Sequence, residues 1–150
     1  MIQRKQTLFL LAACILTGLL FIVDLGTLQN SQANWQFKAT GIMGANATTA
    51  INTYPIVALI IISTLISFIT IFSYKKRVLQ LRLSGLNLAF LAGTSAIIYY
   101  TGQSAATQLG AVISFSWPII APLVALVLTI LAMIAIRKDE ALVKSLNRIR

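Results

Sequence analysis

This sequence predicts an all-α membrane protein: a four-transmembrane-helix bundle with both termini cytoplasmic and an amphipathic C-terminal helix. Three observations predict it. The 150 residues are 58% hydrophobic and only 10% charged, whereas a soluble domain carries about 25% charged residues. Eleven of the 12 basic residues fall into three clusters: Arg4 and Lys5; Lys75, Lys76, Arg77 and Arg82; and Arg137, Lys138, Lys144, Arg148 and Arg150. Long uncharged apolar runs separate the clusters. Lys and Arg stay on the cytoplasmic side and fix the orientation of helices between them. An even number of crossings must therefore separate each cluster from the next.

The first helix is expected over about 6–24, where the uncharged run from Gln6 to Val23 is near the lower limit of spanning length. Met1–Lys5 resembles a basic leader, and Leu11-Ala12-Ala13-Cys14 the segment before a lipoprotein cysteine. The apolar run continues through Val23, so retention of the helix is expected. An outer loop over 25–53 follows, rich in Asn, Thr, Gln and Gly. Within it Trp35, Phe37 and Ala39 alternate with Gln36, Lys38 and Thr40, a period of two that predicts one short strand. Asn46-Ala47-Thr48 fits a glycosylation sequon, a pattern short enough to arise by chance.

The second helix is expected over 54–74, with Pro55 at its first position. The third is expected over 83–101. The fourth runs over 117–136, and Pro122 removes one backbone donor in its outer part. Trp35, Tyr54, Tyr99, Tyr100 and Trp117 mark the outer interface and Tyr74 the inner one, because their rings are apolar and their polar tips are wet. A cytoplasmic tail, 137–150, closes the single domain. Leu142, Val143, Leu146 and Ile149 share one face of it, opposite Arg137, Lys144 and Arg148.

The net charge of +9 lies wholly in the three clusters, since Lys38 and Asp24 cancel. Topology accounts for that charge. Nucleic acid is not expected as a partner, because the basic patches lack interleaved aromatics for base stacking. Cys14 is the sole cysteine and histidine is absent. Asp24, Asp139 and Glu140 are the only carboxylates, a poor inventory for catalysis or metal binding. No catalytic residue, metal or cofactor is expected. An ion-coupled carrier needs an ionisable group within its helices, and Asp24 sits at a helix end, where a hydrated boundary carboxylate is the simpler reading.

Helix packing is expected along Gly85, Ala89 and Gly93, spaced by four, and along Ser63 and Ser67, because small residues let helices approach closely in lipid. Arg137, Lys144 and Arg148 are the candidates for docking to anionic lipid headgroups or to a partner. The bilayer, and a membrane protein partner or a second copy of the chain, are the expected company. A stripe of Ser63, Thr64, Ser67, Thr70, Asn87, Thr94 and Ser95 separates two functions. Lining a wet cavity, it would favour an oligomeric transporter or channel subunit. Making tight interhelical hydrogen bonds, it would favour a non-enzymatic structural or accessory subunit, which is the reading preferred.

Two end segments carry a resemblance. Met1-Ile2-Gln3-Arg4-Lys5-Gln6-Thr7-Leu8 opens the chain. Ala135-Ile136-Arg137-Lys138-Asp139-Glu140-Ala141-Leu142-Val143, running on to Arg150, closes it. Both resemble a family of small inner-membrane proteins from the Bacteroidetes group, known as domain of unknown function 4293. The likeness covers essentially the whole chain in length and helix layout. It implies four transmembrane helices in a bacterial cytoplasmic membrane, and it carries over no catalytic residue.

Overall fold

The computed structural model describes residues 3–44 and 49–147, with side chains over 6–44, 51–74 and 76–141. Four helices carry most of the chain: α1 (Gln3–Leu19), α2 (Tyr54–Phe72), α3 (Arg77–Leu109) and α4 (Ala121–Asn147). Each helix packs on two neighbours, α1 on α2 and α4, and α3 on α2 and α4. Short 3₁₀ turns at Ser73–Lys75 and Trp117–Ile120 lead into α3 and α4. Helices α2, α3 and the stretch Trp117–Ala141 are long and apolar enough to cross a membrane, while α1 is a shorter apolar helix.

An all-α fold is corrected by a five-stranded antiparallel sheet at one end of the bundle. The segment read as a loop with one strand folds into β1 (Asp24–Gln29), β2 (Asn34–Lys38), β3 (Gly41–Gly44) and β4 (Thr49–Asn52). The α3–α4 connection adds β5 (Val112–Phe115), and the order is β4-β3-β2-β1-β5. The strand expected over 35–40 is β2, which ends at Lys38, with Ala39 and Thr40 in the turn that follows. The others carry weaker signals: β1 is bulged between Asp24 and Gly26, and β3 begins and ends on glycine. The sequon at 46–48 lies outside the described residues.

Local chemistry fixes the turns. Asn30 Oδ1 accepts from the Gln32 and Ala33 amides, both at 2.8 Å, which turns β1 into β2. The Asn30 Nδ2 donates to the Leu109 carbonyl at 3.2 Å and pins this hairpin to the end of α3. Helix α3 stops at Gly110, whose φ of 56° is left-handed, and the Ala111 amide closes the cap on the Ala106 carbonyl at 2.9 Å.

Helix α3 has 33 residues, roughly 50 Å at helical rise, well beyond a 30 Å hydrocarbon core. Its extension past Thr101 is amphipathic. Gly102, Ala105 and Ala106 are buried beneath the sheet, while Gln103, Thr107 and Gln108 are exposed. The main core lies here, between Leu25, Leu28, Phe37 and Ile42 of the sheet and Leu20, Ile56, Ile60 and Ile98 of the helices. Helix α4 runs unbroken into the tail as far as Asn147.

The rest of the bundle reverses the usual sorting. Leu65, Phe68, Ile69 and Phe72 of α2 and Val127, Ile130, Leu131 and Ile134 of α4 are exposed. Ser63, Ser67, Thr70, Asn87, Thr94 and Thr129 are buried. Soluble proteins do not expose apolar surface on this scale, so the arrangement suits a lipid surround.

Candidate functional site

Polar burial is concentrated in the half of the bundle that holds the termini. Thr70, Gln80, Ser84 and Asn87 are at most 3% exposed there, with Gln6 and Asp139 at 6% and 7%. The interior positions of α4 run Ala125, Thr129, Ala132, Ile136, Asp139, a three-and-four spacing that aims the Asp139 carboxylate into the bundle. There Gln6 Nε2 donates to Asp139 Oδ2. Arg77 Nη1 donates to the Asp139 main-chain carbonyl at 3.0 Å. One residue thus ties α1, α3 and α4 together. Sequence reasoning counted Asp139 only as a charge among basic neighbours. Its place on the Ala125–Ile136 stripe is the signal that marks it as interior.

One turn and more above, Asn87 Nδ2 donates to Ser67 Oγ at 2.8 Å and joins α3 to α2. Most other interior hydroxyls turn back on their own helices. Ser63 donates to the Leu59 carbonyl at 2.9 Å, Thr94 to Phe90 at 2.8 Å and Thr129 to Ala125 at 2.8 Å. Thr64 Oγ1, Ser84 Oγ and Asn87 Oδ1 are buried without a partner among the described residues.

The candidate packing residues occupy different surroundings. A Cβ built on Gly85 would stand 4.0 Å from Met133 Cε of α4, and one on Gly93 4.0 Å from Leu59 Cδ1 of α2. Ala89 lies between them on the exposed side of α3. Ser63 and Ser67 are buried in the interior. The glycine stripe therefore crosses the outside of α3 from one neighbour to the other, and the three positions do not share one partner. Arg137 is exposed on α4, Lys144 lies within the helical part of the tail, and Arg148 lies outside the described residues.

At the sheet end, Asp24 pairs with Lys38 at 3.4 Å across β1 and β2. The sheet face turned away from the core carries a shallow groove of about 440 Å³ whose lining includes Thr27, Gln29, Asn34, Gln36 and Met43. Among the described residues no group of three or more His, Cys, Asp or Glu comes together as metal ligands.

The family model described as Domain of unknown function (DUF4293) matches residues 2–149. The chain belongs to this family. Its description assigns no activity, and no curated protein matches the chain. The DUF4293 fold in this chain is mostly helical, with three candidate membrane-spanning helices and a sheet packed across one end.

Proposed function

We propose that this chain is a non-enzymatic accessory protein of the bacterial inner membrane. It crosses the bilayer four times with both termini inside, presents the sheet outside, and docks with another component. The observation that carries this reading is the Asn87–Ser67 hydrogen bond, which joins α3 to α2 within the polar stripe. Ser63, Thr70, Thr94, Ser95 and Thr129 donate to carbonyls of their own helices. Their hydroxyl donors are spent inside a packed bundle. The exposed apolar helix faces support the bilayer as surroundings. The basic ends support the orientation.

Two surfaces remain for docking. The first is the uncharged groove on the sheet. The second is the basic inner end, where Arg137 with Lys144 and Arg148 of the tail meets anionic headgroups or an acidic partner. Purification of the native protein in mild detergent, followed by mass spectrometry, tests the reading. A stoichiometric membrane partner that survives washing is the expected result. Recovery of the chain alone, at native expression and in every mild detergent tried, would sink it.

A specific observation keeps a second reading, an oligomeric transporter or channel subunit. Thr64 Oγ1, Ser84 Oγ and Asn87 Oδ1 lack partners in the bundle interior, and buried polar groups without partners at membrane depth are costly. Solute flux through proteoliposomes that Asn87→Leu abolishes would favour this second reading.

A further inference from the structure

We infer that the seam between α3 and α4 at the inner end holds one anionic phospholipid, its phosphate between Arg82 and Arg137. The inference rests on the membrane reading above and adds a partner and a site to it. Two contacts set the register of the antiparallel pair. Gly85 lies level with Met133, and Arg77 reaches the Asp139 carbonyl. Interpolating between them puts Arg82 opposite residue 135 or so, about 3 Å along the axis from Arg137. Both arginines are exposed. Neither has an ion pair shown among the described residues: Asp24 pairs with Lys38 at the other end, Asp139 is buried against Gln6, and Glu140, one turn from Arg137, is engaged in an interaction of its own.

The helical wheel places Arg137 on the side of α4 that holds Met133, and Arg82 on the outward face of α3. With axes 8–10 Å apart, their Cβ atoms stand roughly 10 Å apart across the seam. Two arginine side chains span that distance to one phosphate, each able to present paired N–H donors to its oxygens. Two exposed guanidinium groups at one depth, beside apolar surface, suit an anion anchored in the membrane.

The surface beside the arginines is apolar. Met133 closes the seam at Gly85, its Cε 4.0 Å from where a Cβ would be, and exposed Ala89 on α3 with exposed Ile130 and Ile134 on α4 presents apolar surface toward the bilayer centre. An acyl chain lies on that surface while its headgroup meets the arginines. A soluble phosphate gains only the headgroup contacts, so a phospholipid is the occupant.

Native mass spectrometry of the full chain, extracted from membranes and supplied with phosphatidylglycerol, phosphatidylcholine or inorganic phosphate, tests this. Wild type should retain one phosphatidylglycerol, and neither phosphatidylcholine nor millimolar phosphate should displace it. Arg82→Gln with Arg137→Gln should reduce retention at least fivefold. Lys76→Gln with Lys138→Gln removes the same charge away from the seam and should reduce it less than twofold. Equal losses from the two double variants, or displacement by inorganic phosphate, would overturn the site. Absence of the chain from carbonate-washed membranes would instead overturn the membrane reading, which keeps the two failures apart.

Discussion

Gly102 is where a single added carbon should do most harm. It lies on α3 beneath β5, and a Cβ there would stand 2.7 Å from Ile113 Cδ1, 2.8 Å from Phe115 Cε1 and 3.1 Å from Phe115 Cζ. Carbon atoms prefer about 3.5–4.0 Å. The two side chains must therefore retreat by about 1 Å, or β5 must lift. Retreat is restricted, because the Phe115 ring is stacked on Tyr99 with centroids 5.7 Å apart. Overpacking of this kind costs about 1–3 kcal/mol, and replacing a helical glycine by alanine returns about 1 kcal/mol. Gly102→Ala should thus lose about 1 kcal/mol net, and Gly102→Val about 2–3 kcal/mol, since valine adds bulk and gains less propensity.

Gly93 supplies the internal control. A Cβ there meets only Leu59 Cδ1, at 4.0 Å, so Gly93→Ala should be neutral or slightly stabilising. Thermal unfolding in one detergent reads the ranking. Hydrogen exchange locates the damage: amides of Val112–Phe115 and of their partners Gly26–Gln29 should exchange faster in Gly102→Val, while the β2–β3 ladder holds. Equal midpoints for Gly102→Ala and Gly93→Ala, with β5 amides as protected as in wild type, would refute the reasoning.

Three further outcomes are expected. A double-mutant cycle of Gln6→Ala and Asp139→Ala should give a coupling of about 1.5–3 kcal/mol in thermal or denaturant unfolding, the range for a hydrogen bond to a charged group. A coupling near zero would mean that the contact contributes nothing. Asn87→Ala and Ser67→Ala, measured the same way, should couple by about 0.6 kcal/mol, the typical value for interhelical hydrogen bonds in lipid; a coupling above about 2 kcal/mol would point to a larger network. In a Cys14→Ala background, a cysteine at position 38 should react with an impermeant thiol reagent in intact spheroplasts and one at position 76 should not, and the reverse pattern would invert the proposed orientation.

The sequence announces its helices through charge. Lys75, Lys76 and Arg77 mark the break between α2 and α3, and Arg137 with Lys138 marks where the apolar run of α4 ends. The sheet is nearly silent, for physical reasons. Strands of four to six residues carry few side chains each, and only β2 shows a clear period of two. The bulge at Asp24 and Gly26 shifts the alternation of β1 between faces. Strand β5 pairs with β1 across more than eighty residues, and no local pattern encodes that pairing. Gly26 does leave a trace in hindsight: a Cβ there would sit 2.7 Å from the Ser114 carbonyl, so the close approach of β5 needs a glycine. The extension of α3 past the expected end at Thr101 went unread, because Gly102, Ala105, Ala106 and Leu109 keep helical spacing but signal it more weakly than the hydropathy that stops there. Among the candidate sites, residue type was readable at Ser67 and Asn87, but their pairing across helices was not.

The two ends of the bundle are held by different forces, and this difference bears on where a partner binds. At the sheet end, Leu25, Leu28, Phe37 and Ile42 cover helix ends that rise beyond a hydrocarbon core. In the proposed bilayer placement water is the alternative environment there, so apolar burial stabilises at about 25 cal/mol per Å². At the termini end the alternative in that placement is lipid, and burying a leucine against another helix gains little over burying it in acyl chains. Polar contacts must hold the helices together, and the Gln6–Asp139–Arg77 latch and the Asn87–Ser67 bond lie in that half. A partner that binds the sheet meets a face backed by a dense apolar core. A lipid or protein that binds the termini end meets helices joined by a few hydrogen bonds, where replacing Asp139 breaks the Gln6 bond between α1 and α4 and leaves the Arg77 bond to the main-chain carbonyl. Occupancy at Arg82 and Arg137 should therefore tighten the α3–α4 contact, while occupancy of the sheet groove should leave it unchanged.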